Sequence, residues 1–135
     1  DLERVWQQPE EHKEEQDTYE QFLVKKDVQF IEKIHQVIEE NLDNSDFNID
    51  TIASTIGLSR SAFFKKLKSL TGFAPVDLVK EIRLNKSIEL IKNSDMSISE
   101  IAFAVGFKDS GYFSKCFRKK YDQTPREYMN EWRKS

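Results

Sequence analysis

Residues 49–57 read Ile-Asp-Thr-Ile-Ala-Ser-Thr-Ile-Gly, and residues 98–106 read Ile-Ser-Glu-Ile-Ala-Phe-Ala-Val-Gly. These two stretches are copies of one pattern. Ile49, Ile52, Ala53, Ile56 and Gly57 match Ile98, Ile101, Ala102, Val105 and Gly106 at an offset of 49. Past the glycine the offset becomes 50. Ser59 then matches Asp109, Phe63 matches Phe113, Lys65 matches Lys115, Lys68 matches Arg118 and Pro75 matches Pro125. One extra residue in the second turn accounts for the slip. A duplicated unit of this kind is a single supersecondary element used twice.

The chemistry of the pattern specifies that element. Apolar residues at i, i+3, i+4 and i+7 mark one face of a short helix. Gly57 and Gly106 stand where a helix stops in the left-handed conformation. Ser59 and Asp109 are good N-caps for a second helix. Pro75 and Pro125 each suit the first position of the helix that follows. Helix, glycine turn, helix is the plan of a helix-turn-helix.

Working outward, Pro75 is followed by no proline or glycine through residue 93, so residues 75–93 read as one connecting helix of about 28 Å. Leu78, Val79 and Ile82 form an apolar arc in its first half. Leu84, Ile88 and Ile91 form another, on roughly the opposite side, in its second half. A helix that packs first one way and then the other joins two subdomains. Upstream, Phe30, Ile31, Ile34, Val37 and Ile38 place an amphipathic helix from Asp27 to about Leu42. Residues 1 to about 18 are polar and acidic, with Trp6 unexplained; Tyr19, Phe22 and Leu23 suit the docking of a short helix or turn, and residues 1–26 together read as a linker or tail. The expected organisation is therefore a tail at 1–26 and a domain at 27–133. That domain divides into a first subdomain (27–74), the connector (75–93) and a second subdomain (94–133). The fold class is all-α.

Composition narrows the function. The 135 residues suit one domain or two very small ones, and the net charge of −3 hides an asymmetry. Residues 1–57 carry 5 Lys+Arg against 15 Asp+Glu, while residues 58–135 carry 16 against 9. The net charges of −10 and +7 place an acidic block beside a basic one, and the basic block invites a polyanion. No apolar run reaches the length of a membrane span. The lone Cys116 excludes a disulfide framework and a multi-thiolate metal site. His12 and His35 are too far apart for a local metal clip. No Ser/His/Asp set, zinc spacing or phosphate-binding glycine loop is present, so an enzyme is not expected and no cofactor is implied. A helical protein-interaction module is the rival class. It explains the helices and the acidic tail, but not basic residues recurring on equivalent faces.

On a helical wheel from Ser59, Phe63, Leu67 and Leu70 fall on the core side. Ser61, Phe64, Lys65 and Lys68 fall opposite, as do Gly111, Ser114, Lys115 and Arg118 in the second unit. A recognition helix presents its N-terminal residues to base edges in the major groove. Expected base readers are Arg60, Ser61, Phe64 and Lys65, then Ser110, Gly111, Ser114 and Lys115. Expected phosphate contacts are Ser59, Lys66, Lys68, Arg83, Arg118 and Lys119, which position without carrying sequence information. Gly111 has two readings, close approach to DNA or a place in the forgiving first turn of a helix. The connector approaches the ~34 Å repeat of B-DNA, so two helices held this far apart suit successive grooves.

The stretch from Ile98 to Tyr128 contains Ile101-Ala102, Gly106-Phe107, Tyr112-Phe113, Phe117-Arg118 and Thr124-Pro125. Together with Gly57-Leu58-Ser59-Arg60-Ser61, Thr71-Gly72 and Ile82-Arg83-Leu84, it resembles the DNA-binding domain of the AraC/XylS family of bacterial transcription regulators. The resemblance covers residues 27–133. It implies seven helices, two helix-turn-helix subdomains and a connecting helix. It also implies sequence-specific binding to double-stranded promoter DNA, usually to activate transcription, with RNA polymerase as a further partner. The groove readers carried over by position are Ser61, Phe64, Lys65, Gly111, Ser114 and Lys115. One departure is Asp122, where the family often has glycine; aspartate tolerates the left-handed conformation better than most residues. The sequence style also resembles output domains of response regulators and hybrid two-component sensors. That implies an upstream receiver joined through residues 1–26. It further implies a cytoplasmic module without membrane contact of its own, in a full-length chain that is membrane-anchored if it is a hybrid sensor.

Overall fold

The computed structural model describes the backbone of residues 9–44 and 46–133, and side chains from residue 18 onward within those ranges. Trp6 lies outside them. The described residues form seven helices and no strand. These are α1 (Pro9–Glu40), α2 (Ile49–Ile56), α3 (Arg60–Thr71), α4 (Pro75–Asn93), α5 (Ile98–Ala104), α6 (Ser110–Tyr121) and α7 (Pro125–Trp132). By compactness the chain divides into Asp1–Ile34 and His35–Ser135.

In the first unit, α1 begins well before Asp27. The polar stretch expected as a linker is helical from Pro9. Its Glu, Gln and Lys residues are good helix formers and Pro9 suits a first turn, so local propensity supports the helix without burial. Tyr19, Phe22, Leu23, Val24 and Val28 are exposed along it, and the Lys26 ammonium lies 5.6 Å from the Phe22 ring centre.

The second unit follows the duplicated pattern. Asn48 Oδ1 accepts from the Thr51 amide and starts α2; Ser59 Oγ accepts from the Ala62 amide and starts α3. In the second copy, Ser97 and Glu100 close a reciprocal cap at α5, and Asp109 Oδ1 accepts from the Gly111 amide at α6. Gly57 and Gly106 have φ +87° and +97°, as the helix stops require. Asp122, with φ +60°, is the one non-glycine residue at positive φ among those described, and its amide donates to the Arg118 carbonyl. Pro75 and Pro125 open α4 and α7.

Packing is organised around α4. Helix α2 packs on α3 and α5 on α6, while α4 meets α3 on one side and α5 and α7 on the other. Leu78 and Ile82 are buried in its first half, Leu84 and Ile91 in its second, and Val79 and Ile88 are half-buried beside them. The first copy buries Ile52, Ala53, Phe63 and Leu67. The second is aromatic. Phe107, Phe113 and Phe117 form a chain of ring contacts at 5.2 and 5.8 Å that continues to Tyr121 and Tyr128. Leu70, expected in the core, is exposed in the last turn of α3, so the apolar stripe is covered only along its first part.

Three polar clusters fasten the second copy to α4. Lys120 Nζ lies 2.6 Å from Glu81 Oε2 and donates to Asn85 Oδ1, which also accepts from the Tyr121 hydroxyl. Arg133 donates to the carbonyls of Ile91 and Met96. Arg83 donates to the Gly106 carbonyl at 2.6 Å and, more weakly, to that of Asn44 at 3.4 Å.

Candidate nucleic-acid interface

The starts of α3 and α6 carry the side chains expected to read bases. Each start is set by a cap and by a buried phenylalanine three residues on, Phe63 or Phe113. With those rings fully enclosed, the helical period turns the flanking residues outward. Arg60, Ser61, Phe64 and Lys65 are all exposed on α3. On α6, Gly111 and Lys115 are exposed, while Ser110 and Ser114 are half-buried. The expected sets thus gather on one face of each helix. Phe64, the neighbour of a fully buried ring, is 47% exposed and so presents an apolar surface on this face.

Gly111 sits in the first turn of α6, where its amide is held by Asp109 at 2.7 Å. A methyl group placed on it would come to 3.2 Å from the Asp109 carboxylate, so the crowding there comes from the cap. Arg60 pairs with Asp50 at 3.6 Å, and both are largely exposed. Such pairs are worth under about 1 kcal/mol, so the guanidinium is available to a stronger acceptor.

Of the expected phosphate contacts, Lys66, Lys68, Arg118 and Lys119 are exposed. The Lys68 ammonium donates to the Gly72 carbonyl at 2.9 Å and so also caps the end of α3. Ser59 uses its oxygen as acceptor in the cap, which leaves its hydroxyl proton to donate.

Arg83 is a correction. It was expected to face phosphate because it points away from both apolar arcs of α4. Its guanidinium instead turns into the space between the loop after α1 and the turn after α5, where two carbonyls take it. Desolvation there lowers its pKa, and Nε is buried without an acceptor.

Tyr112, met in the sequence only as part of the Tyr112-Phe113 motif, has a place of its own at this surface. It is half exposed on α6 beside the reading face, with the Lys80 ammonium 5.6 Å from its ring centre. Its counterpart in the first copy is Ala62. Tyr112 forms one wall of a cavity of about 690 Å³ shared with Phe47, Ile49, Val76, Val79 and Phe107. No cluster that could hold a metal ion occurs among the described residues, and no helix there is long and apolar enough to cross a membrane.

Two helix-turn-helix units sharing one connecting helix, each presenting the start of its second helix to solvent, define a DNA-binding regulator domain. A helix-turn-helix domain family matches residues 52–131. The chain belongs to the AraC-type helix-turn-helix family of DNA-binding transcription regulators, whose shared fold is a DNA-binding rather than a catalytic domain. It is 38% identical over 106 residues to Histidine kinase P4 of Formosa agariphila. That match covers 78% of this chain and 8% of the kinase, so the chain spans a small part of that relative's length. Among solved structures it is similar to the C-terminal domain of the two-component response regulator yesN from Fusobacterium nucleatum, at 31% identity and TM-score 0.66. The likeness covers 73% of this chain and 95% of that one. It is also similar to the DNA-binding domain of the global transcriptional factor AdpA in complex with a target DNA, at 28% identity and TM-score 0.71. Here 78% of this chain and 93% of that one are covered.

Proposed function

We propose that the chain is the output module of a two-component signalling protein and activates transcription by reading two successive major grooves of a promoter. The observation that carries the reading is the matched exposure of Lys65 and Lys115 at equivalent positions of α3 and α6. Neither ammonium has a hydrogen bond or ion pair with another described residue. Two solvated cations at the same place in both copies suit the acceptor edges of guanine.

Roles divide by position. Arg60, Ser61, Phe64 and Lys65 read one groove; Ser110, Gly111, Ser114 and Lys115 read the next. Phe64 gives a thymine methyl an apolar contact. Ser59, Lys66, Lys68, Arg118 and Lys119 hold phosphates and fix the register. Likeness to a histidine kinase and to a response regulator's C-terminal domain supports the two-component assignment. In that arrangement an upstream receiver acts through residues 1–26 on the domain at 27–133, and RNA polymerase is the partner at the promoter.

A salt titration of binding to duplex DNA tests the reading. Four or five phosphate contacts give a slope of log K against log salt of about −4. A slope near zero contradicts it.

A further inference from the structure

We infer that Arg83 sets the distance and phase between the two recognition helices, and so dictates the spacing of the two half-sites. This rests on the DNA-reading role proposed above.

The guanidinium joins three parts of the molecule. Its stem belongs to α4. Nη1 donates at 2.6 Å to Gly106, three residues before the cap of α6. Nη2 reaches Asn44, in the loop that leads into α2. A single planar group with donors in a fixed fork thus links the first copy's entry loop to the second copy's turn. Charge-assisted bonds to carbonyls in a partly desolvated place hold position better than exposed pairs do.

The surroundings are shaped to receive it. Gly106 has no room for a side chain. A methyl group there would overlap the Leu42 carbonyl oxygen and come to 2.6 Å from the Arg83 guanidinium carbon. Leu42 and Asn44 thus flank the same contact from the first copy's side. Lys108, two residues past Gly106, pairs with Asp46 at 3.1 Å and repeats the bridge at the surface. Lys120 and Arg133 bind the second copy to α4 elsewhere, but neither reaches the loop before α2. Arg83 is therefore a positioning residue. It touches no base, and it acts by fixing where α6 starts relative to the first copy.

Phase is the sensitive quantity. Inserting one base pair rotates the second half-site by about 35° and moves it by about 3.4 Å. A rigid pair of readers cannot follow, and the gain from joining two binding units is lost when geometry forbids both.

The experiment uses the whole 135-residue chain and a duplex first selected from a random pool by the wild type. Affinity is measured for that duplex, for versions with one base pair added or removed between the half-sites, and for a duplex with one half-site. Wild type is expected to lose about tenfold or more when the spacing changes. Arg83→Met is expected to bind the selected duplex about tenfold more weakly, to show little dependence on spacing, and to bind the single half-site as wild type does. Arg83→Lys, which keeps the charge but reaches one carbonyl, should fall between; it stands in if Arg83→Met fails to fold by circular dichroism. A folded variant that keeps the full spacing penalty, or loses affinity equally for the single half-site, overturns the inference. If wild type selects no duplex at all, the DNA-reading role itself fails. If it selects one and the variants keep its spacing preference, only the role of Arg83 fails.

Discussion

Lys65 and Lys115 each follow a fully buried phenylalanine by two residues, Phe63 in one copy and Phe113 in the other, and both ammonium groups stand in solvent. One local rule, a ring driven inward and a cation turned outward, is thus executed twice on either side of α4.

The pair yields a test of base reading. Lys65→Ala and Lys115→Ala should each cost about 1 to 3 kcal/mol of discrimination between the selected site and a site changed at one base. Lys119→Ala should weaken every sequence alike and reduce the salt slope by about 1. Binding measured on matched and mismatched duplexes separates the two classes.

Phe63 and Phe64 are neighbours with opposite surroundings, 0% and 47% exposed. Phe63→Ala should destabilise the fold by about 3 to 5 kcal/mol through the cavity it leaves. Phe64→Ala should stay within about 0.5 kcal/mol of wild type in stability and lose affinity for DNA. Denaturant melts beside binding isotherms check both halves.

Gly57 and Gly106 hold equivalent places and similar φ, yet their surroundings differ. A side chain at Gly57 meets nothing within 4 Å, whereas at Gly106 it meets Leu42 and Arg83. Gly57→Ala should cost about 1 to 2 kcal/mol, the price of the left-handed backbone alone. Gly106→Ala should cost more than this, since backbone as well as side chain must shift. Thermal melts of the two variants give the comparison.

A pH test concerns α7. Glu127 accepts from the Thr124 amide, and this bond, with the Thr124 side chain, lowers its pKa below the ordinary 4.5. A carboxylate lowered on folding stabilises the native state above its unfolded pKa and ceases to do so as pH falls through the folded value. Wild type should therefore melt above Glu127→Gln at neutral pH, with the gap closing below about pH 4.5.

Much of this was legible in the sequence because the rules involved are local. The caps at Ser59 and Asp109, the prolines opening α4 and α7, and the left-handed Asp122 depend on residues a few positions apart. The reach of Arg83 does not. A helical wheel shows that it leaves both apolar arcs of α4, but the carbonyls of Asn44 and Gly106 come from loops 39 and 23 residues away. Leu70 fails for a related reason, since a wheel gives direction but not how far the neighbouring helix extends. The helix over residues 9–26 runs well beyond the short helix or turn that Tyr19, Phe22 and Leu23 suggest, because the propensity of Glu, Gln and Lys extends it without an apolar period. The place of Tyr112 in a cavity wall is not legible from the repeat, since its first-copy counterpart is Ala62.

The most direct measurement is the length and layout of the site that the chain enriches from a random duplex pool. Two short motifs whose centres lie about 10 to 10.5 base pairs apart, both protected on one face of the helix, are the expected result. Enrichment of one short motif, protected over a single groove, would contradict the claim that both copies read DNA together.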